Sequence, residues 1–212
     1  MPLDQIKEEI LKNGFWKQDD ARISEKMEEI IRSNYHTITE QGLSLLKLAV
    51  LKNELVSGII RSFFPRSTLV LYKTMGKTKH KHAILGRTDD MRMLLVFCWS
   101  SESAGTIWSG SHLRQLELAQ AANGLLMVSS DASLNQESIR PHSITLDRGG
   151  LAIVDARCAW KVEKGKAAIL AFATPDEAQS WVRTTLPMAL KPTVTDMVEE
   201  TMDMHVSFGD TI

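Results

Sequence analysis

Two hydrophobic periods divide the chain, a helical one before Pro65 and a strand-like one after it. Over residues 3–11, Leu3, Ile6, Ile10 and Leu11 share one helical face, and Asn13-Gly14 supplies a stop. A second helix is expected from Ser24, a residue suited to N-capping, with Met27, Ile30 and Ile31 turned inward. Residues 43–64 form the most apolar stretch. Leu45, Leu48, Ala49, Val56, Ile59, Ile60 and Phe63 recur there at helical spacing until Pro65, which cannot continue a helix. So wide a stripe belongs to a helix lying against a sheet or barrel.

Beyond Pro65, residues 68–74 (TLVLYKT) and 92–99 (RMLLVFCW) read as strands rich in β-branched and large apolar side chains. Shorter strands are expected at 105–109, 125–129 and 143–146. After the Gly149-Gly150 break, three more follow at 151–155, 158–162 and 167–173. Residues 113–121 read as helical. A last helix opens with Thr174 as cap, Pro175 in the first turn and Glu177 completing a capping box; Ala178, Trp181, Val182 and Leu186 would form its apolar face. The acidic, Met-rich tail from Thr193 either docks as a short helix or stays mobile, and its methionines suit an adaptable docking segment.

Short strands spaced by turn signals and flanked by helices predict an α+β chain: a double-stranded β-helix, or jelly-roll, barrel of cupin-like type. The expected division within one domain is a helical layer at 1–65, the barrel body at 66–173, and a C-terminal helix with acidic tail at 174–212.

Composition narrows the setting. Hydrophobic content of 43% and charged content of 24% suit a globular core, and a formal net charge of −1 gives no electrostatic case for nucleic acid or an anionic membrane. Aromatic content of 6% argues against a stacking platform for single strands. No run approaches the roughly 18 apolar residues that span a bilayer. The charged N-terminus does not read as a signal peptide. Cys98 and Cys158 sit in apolar runs without metal-site spacing, which points to a reducing, cytoplasmic setting.

Several chemistries fail on spacing. Gly76-Lys77-Thr78 lacks the glycine that a phosphate loop needs at the position held by Leu71. Ser109-Gly110-Ser111-His112 lacks the glycine-x-serine-x-glycine elbow of a serine hydrolase. Asp89 and Asp90 adjoin, so on extended chain they point to opposite faces and do not make a glycosidase pair. His80 and His82 would share one side of a strand, a feasible metal pair, yet three neighbouring lysines favour a solvated basic loop.

The most specific segment is Gly105-Thr-Ile-Trp-Ser-Gly-Ser-His112, a strand running into a Gly-Ser-His turn. With Asp147-Arg-Gly-Gly-Leu-Ala-Ile-Val-Asp155-Ala-Arg157-Cys-Ala-Trp160 and the opening LKNGFWKQDDARIS of residues 11–24, it resembles the phytanoyl-CoA dioxygenase-like branch of the iron/2-oxoglutarate oxygenases. The resemblance implies a jelly-roll barrel. It also implies iron held by a His-x-Asp/Glu pair and a distal histidine, with an arginine for the 2-oxoglutarate carboxylate. This sequence has no His-x-Asp or His-x-Glu, places Trp160 where the distal histidine falls, and has no arginine within 167–173. No metal and no cofactor is therefore expected.

Three functions remain open. A cofactor-independent isomerase, cyclase or dehydratase would use His112, Asp155 and Arg157 as its acid-base and carboxylate-clamping groups. Trp99, Trp108, His142 and Trp160 would then line the substrate cavity, although the tryptophans are equally suited to a core. A non-catalytic relative would bind a small molecule, a second copy or a partner oxygenase. An iron enzyme with displaced ligands would have to recruit from His80, His82, Asp89, Asp90, His112 and His142. The first two separate on whether His112 faces a cavity or the core.

Overall fold

A computed structural model describes residues 1–34, 37–86, 90–121 and 125–210. Helix α1 (Leu3–Asn13) ends where expected, at Gly14 with φ +86°, and strand β1 (Phe15–Asp19) follows at once. Helix α2 (Ala21–Arg32) starts earlier than Ser24. Asp20 caps it, its carboxylate accepting the Arg22 amide at 3.0 Å. Ser24 lies buried in the first turn and accepts the Ser101 amide at 2.8 Å, tying the helix to the sheet beneath.

The long helix expected over 43–64 is two. Helix α3 (Glu40–Leu46) runs into a π-turn at Lys47–Leu51, and Asn53 then caps α4 (Glu54–Phe63) by accepting the Val56 amide at 3.2 Å. The apolar spacing ran through because both pieces lie on the same sheet. The asparagine side chain offered the backbone a competing partner at the join.

The strands are β2 (Ser67–Gly76), β3 (His82–Ala83), β4 (Met93–Trp99), β5 (Ser103–Ser109), β6 (Leu118–Gln120) and β7 (Leu126–Val128). They continue with β8 (Arg140–Leu146), β9 (Gly150–Asp155), β10 (Ala159–Lys164) and β11 (Lys166–Ala173). Among these strands the major sheet has the order β1-β9-β4-β11-β2, and the minor sheet β6-β7-β3-β10-β5-β8, with every one of these pairings antiparallel. Successive strands pass between the sheets at β2 to β3, β3 to β4, β4 to β5, and again from β8 through β11, which is the winding of a double-stranded β-helix.

Burial explains why β4 reads as a continuous apolar run. Leu94, Val96 and Cys98 face the helices, packing with Ile10, Met27 and Ile60, while Met93, Leu95, Phe97 and Trp99 face into the barrel. In β11, Leu170 and Phe172 face the helices, and Ile169 and Ala171 face inward.

The C-terminal third departs from expectation. Thr174 caps a helix as predicted, accepting the Glu177 amide at 3.3 Å, but α5 (Pro175–Ala178) is a single turn. Trp181 donates its indole N–H to Glu177, Val182 is 89% exposed, and Leu186 belongs to strand β12 (Thr184–Pro187). After α6 (Lys191–Thr195), the tail forms β13 (Met202–Met204), which joins the β2 edge in parallel, and β14 (Val206–Gly209), which pairs β12 in parallel. Tail strands that satisfy these edges leave no room for a longer helix. Met197 and Met202 are buried in the helix–sheet core. Residues 113–121 are not helical either: a single 3-10 turn, Ser111–Leu113, precedes β6, and Leu116 seals the outer face of the minor sheet. Among the described residues, no helix is long and apolar enough to cross a membrane.

Gly14 is the tightest point of the frame. A Cβ there would stand 2.7 Å from His112 Nδ1 and closer still to Cys158 Sγ, at a positive φ that disfavours any side chain. Gly14→Ala should destabilise the protein by about 1–3 kcal/mol, measured as a lowered urea midpoint; an unchanged midpoint would contradict this packing.

Candidate functional site

The inner face of the minor sheet carries one row of side chains in register: His82, Trp160, Ile107 and His142, on β3, β10, β5 and β8. Direct cross-strand partners point to the same face, so the row is fixed by strand pairing. His82 is 1% exposed, in contrast to the solvated loop expected around it. Its Nδ1 lies 3.1 Å from the Leu126 carbonyl, and its Nε2 lies 3.3 Å from Thr78 Oγ1. A carbonyl only accepts, so Nδ1 carries the proton and Nε2 accepts from the threonine hydroxyl. Burial lowers the His82 pKa, which fits this neutral tautomer.

Rings fill the space in front of His82. Its centroid is 5.1 Å from Trp160, which meets Phe97 of the opposite sheet edge-on at 5.0 Å; Phe97 stacks on Trp99 at 5.6 Å. Trp99 fits because β5 has Gly105 beneath it, where a Cβ would come within 2.8 Å of the indole. The indole N–H groups of Trp99 and Trp160 are buried without a hydrogen-bond partner. The residue two positions from His82, on the same side, is Ile84, which is buried in the same cluster.

This arrangement does not fit the iron that the sequence resemblance implied. Three ligands around one ion must converge, and the partner across from position 160 is His82. Around His82 stand Ile84, Trp160 and the His80 ring, whose centroid is 6.5 Å away, with no carboxylate of the described residues beside them. Among the described residues, no group of three His, Cys, Asp or Glu side chains converges. His36 and Asp89 lie outside the described residues.

The Gly-Ser-His turn sits at the back of the barrel. Ser111 is fully buried; its hydroxyl donates to the Trp108 carbonyl at 2.6 Å and accepts the Ala159 amide at 2.9 Å. His112, 1% exposed, places Nε2 3.1 Å from the Leu11 carbonyl and Nδ1 3.5 Å from Cys158 Sγ. Burial pushes the Cys158 pKa well up, so its sulfur is held as a thiol and not as a thiolate nucleophile. The Gly14 carbonyl accepts the Asp155 amide at 2.8 Å.

Asp155 has no exposed surface and binds Arg157 with both oxygens, at 2.9 and 2.6 Å. Alternation put residues 155 and 157 on one face of a strand, but the strand ends at Asp155 and Arg157 folds back on it from the turn. That bond and the Asp155 charge raise the Arg157 pKa further. His112, Asp155 and Arg157 are therefore neighbours around Gly14, each already engaged. Of the other candidates, Trp99 and Trp160 meet through Phe97. Trp108 faces the outer side of the minor sheet, beneath Lys81 at 5.2 Å, so it does not join them. His142 is exposed at the end of the row, 5.6 Å from Phe15. The residue that sequence reasoning undervalued is His82. The apolar Ala83-Ile84 that follows it was the available signal.

No family model matches the sequence, and no curated protein matches it. Solved structures do match the fold. HygX from Streptomyces hygroscopicus, with nickel, 2-oxoglutarate and hygromycin B bound, is 9% identical with a TM-score of 0.56, covering 82% of this chain and 88% of that one. The non-heme alpha ketoglutarate dependent carbocyclase SnoK from nogalamycin biosynthesis is 12% identical with a TM-score of 0.52, covering 80% and 83%. The non-heme alpha ketoglutarate dependent epimerase SnoN, from the same biosynthesis, is 10% identical with a TM-score of 0.52, covering 81% and 82%. The chain has the jelly-roll fold of these oxygenases.

Two measurements check the site. Ser111→Ala leaves the buried Ala159 amide without its acceptor and should cost about 1–3 kcal/mol in chemical denaturation. Because the folded His82 pKa is lowered, the unfolded chain binds its proton more readily. The His82 contribution to stability is therefore intact above about pH 6.5 and declines as pH falls from there through the lower folded value. Urea midpoints of wild type and His82→Gln at pH 7.5 and 5.5 should show a steeper acid loss in the wild type; parallel losses would refute the assignment.

Proposed function

We propose that this chain is a non-catalytic, ligand- or partner-binding protein built on the jelly-roll scaffold of the iron/2-oxoglutarate oxygenases. One observation carries the reading: Trp160 and Phe97 pack over His82 in the barrel interior, and among the described residues no three His, Cys, Asp or Glu side chains converge there or elsewhere. An oxygenase centre needs open coordination positions and room for cosubstrate beside them. Here that room is taken by aromatic side chains.

A cofactor-independent isomerase, cyclase or dehydratase would draw its acid and base from His112, Asp155 and Arg157, with Trp99, Trp108, His142 and Trp160 around the substrate. A general base must reach the proton it removes. Binding is favoured over turnover because His112 is buried against Leu11 and Cys158, and Asp155 has both oxygens on Arg157. One solved neighbour holds hygromycin B, so a small organic molecule is the first class of ligand to screen.

Metal analysis after anaerobic incubation with Fe(II) and 2-oxoglutarate tests the proposal. Wild type should retain well below one iron per chain after desalting. Stoichiometric iron that disappears in His82→Ala would overturn the reading in favour of an enzyme with displaced ligands.

A further inference from the structure

A cleft of about 510 Å³ lies outside the barrel, where the start of β2, the α5 turn and the C-terminal tail come together. Its volume is in the range of small-molecule sites. Its walls include Arg66, Thr68, Gln179, Arg183, Asp203 and His205, drawn from segments far apart in sequence.

This lining brings two arginines into one concave surface. Arg66 and Arg183 are both exposed, and among the described residues neither guanidinium has a carboxylate partner. Asp203 is the one carboxylate in the lining, and one of its oxygens accepts its neighbour's amide, that of Met204, at 2.7 Å. The cleft is thus net positive in a chain whose formal net charge is −1.

The tail holds this geometry in place. The His205 amide donates to the Leu69 carbonyl at 2.9 Å, and its carbonyl accepts the Thr184 amide at 3.1 Å, stitching β13 on β2 to β14 on β12. Its Nε2 donates to the Trp181 carbonyl at 2.9 Å, which leaves Nδ1 as the ring's remaining polar atom. Two unpaired guanidiniums on one concave wall match a ligand that offers two or more anionic oxygens, since each can bind a carboxylate or phosphate in a forked pair.

We propose that this cleft binds a small dianion, a phosphate monoester or a dicarboxylate, between Arg66 and Arg183, with Gln179, Thr68 and His205 supplying the polar surround. The proposal deepens the binding-protein reading and rests on it. Its test reads the cleft alone, so its failure is distinguishable from a failure of the iron experiment, which reads the barrel.

Isothermal titration of the full chain with inorganic phosphate, and separately with succinate, should give saturable one-to-one binding of at least one. Tighter phosphate binding identifies a phosphate ligand and tighter succinate binding a dicarboxylate, and either supports the site. Arg66→Gln and Arg183→Gln should each weaken the preferred anion by about tenfold with an unchanged melting temperature, while Arg140→Gln on β8 leaves it unaltered. Absence of saturable binding by both anions, or binding that neither cleft substitution weakens, would overturn the proposal.

Discussion

The closure of the structure around Gly14 is the constraint on which the other parts depend. The end of α1, the start of β1, the turn after β5 and the turn between β9 and β10 all meet at one residue without a side chain. His112 holds the helix through the Leu11 carbonyl, Ser111 holds β10 through the Ala159 amide, and the Gly14 carbonyl holds the end of β9. The Ser111–Ala159 bond is buried and the His112–Leu11 bond partly so, and a lost partner in such surroundings is costly. The helical layer and the two sheets are registered against each other by this knot. The Gly-Ser-His turn is in that sense a fastening, which is reason enough for a histidine to be there.

With the back of the barrel fastened, its interior is packed as a core. Small residues on β11, such as Ala167 and Ala171, leave space that Phe97, Trp99 and Trp160 take up. Interiors at crystal-like density do not also serve as reaction chambers without losing side-chain volume. The side chains of this chain fill the space between its two sheets. Fold and chemistry are separable properties of one scaffold.

The outer cleft follows from a different feature, the treatment of sheet edges. β2 is a long strand whose outer edge would be open, and the tail covers it with β13 before crossing to pair with β12. That detour brings Asp203 and His205 over Arg66 and Arg183 and makes a concave surface from a loose end. The methionines that suggested a docking segment are used internally, Met197 and Met202 being buried.

The sequence by itself determined the period-based parts: the amphipathic α1 and α4, the doubly buried β4 and β11, the cap at Thr174, and the glycine at residue 14. These are local or face-specific properties, written in spacing that survives any tertiary arrangement. It also determined that the His-x-Asp/Glu pair of the resembled family is absent, because an absent spacing needs no coordinates. Only the tertiary structure decided that His82 is the buried imidazole, that Trp160 faces it, that Trp108 faces outward, and that the tail forms strands. Those facts depend on which strands pair and in what register, over separations such as that between residues 82 and 160. A one-residue slip in register would turn every one of those side chains to the other face, and no local pattern encodes it.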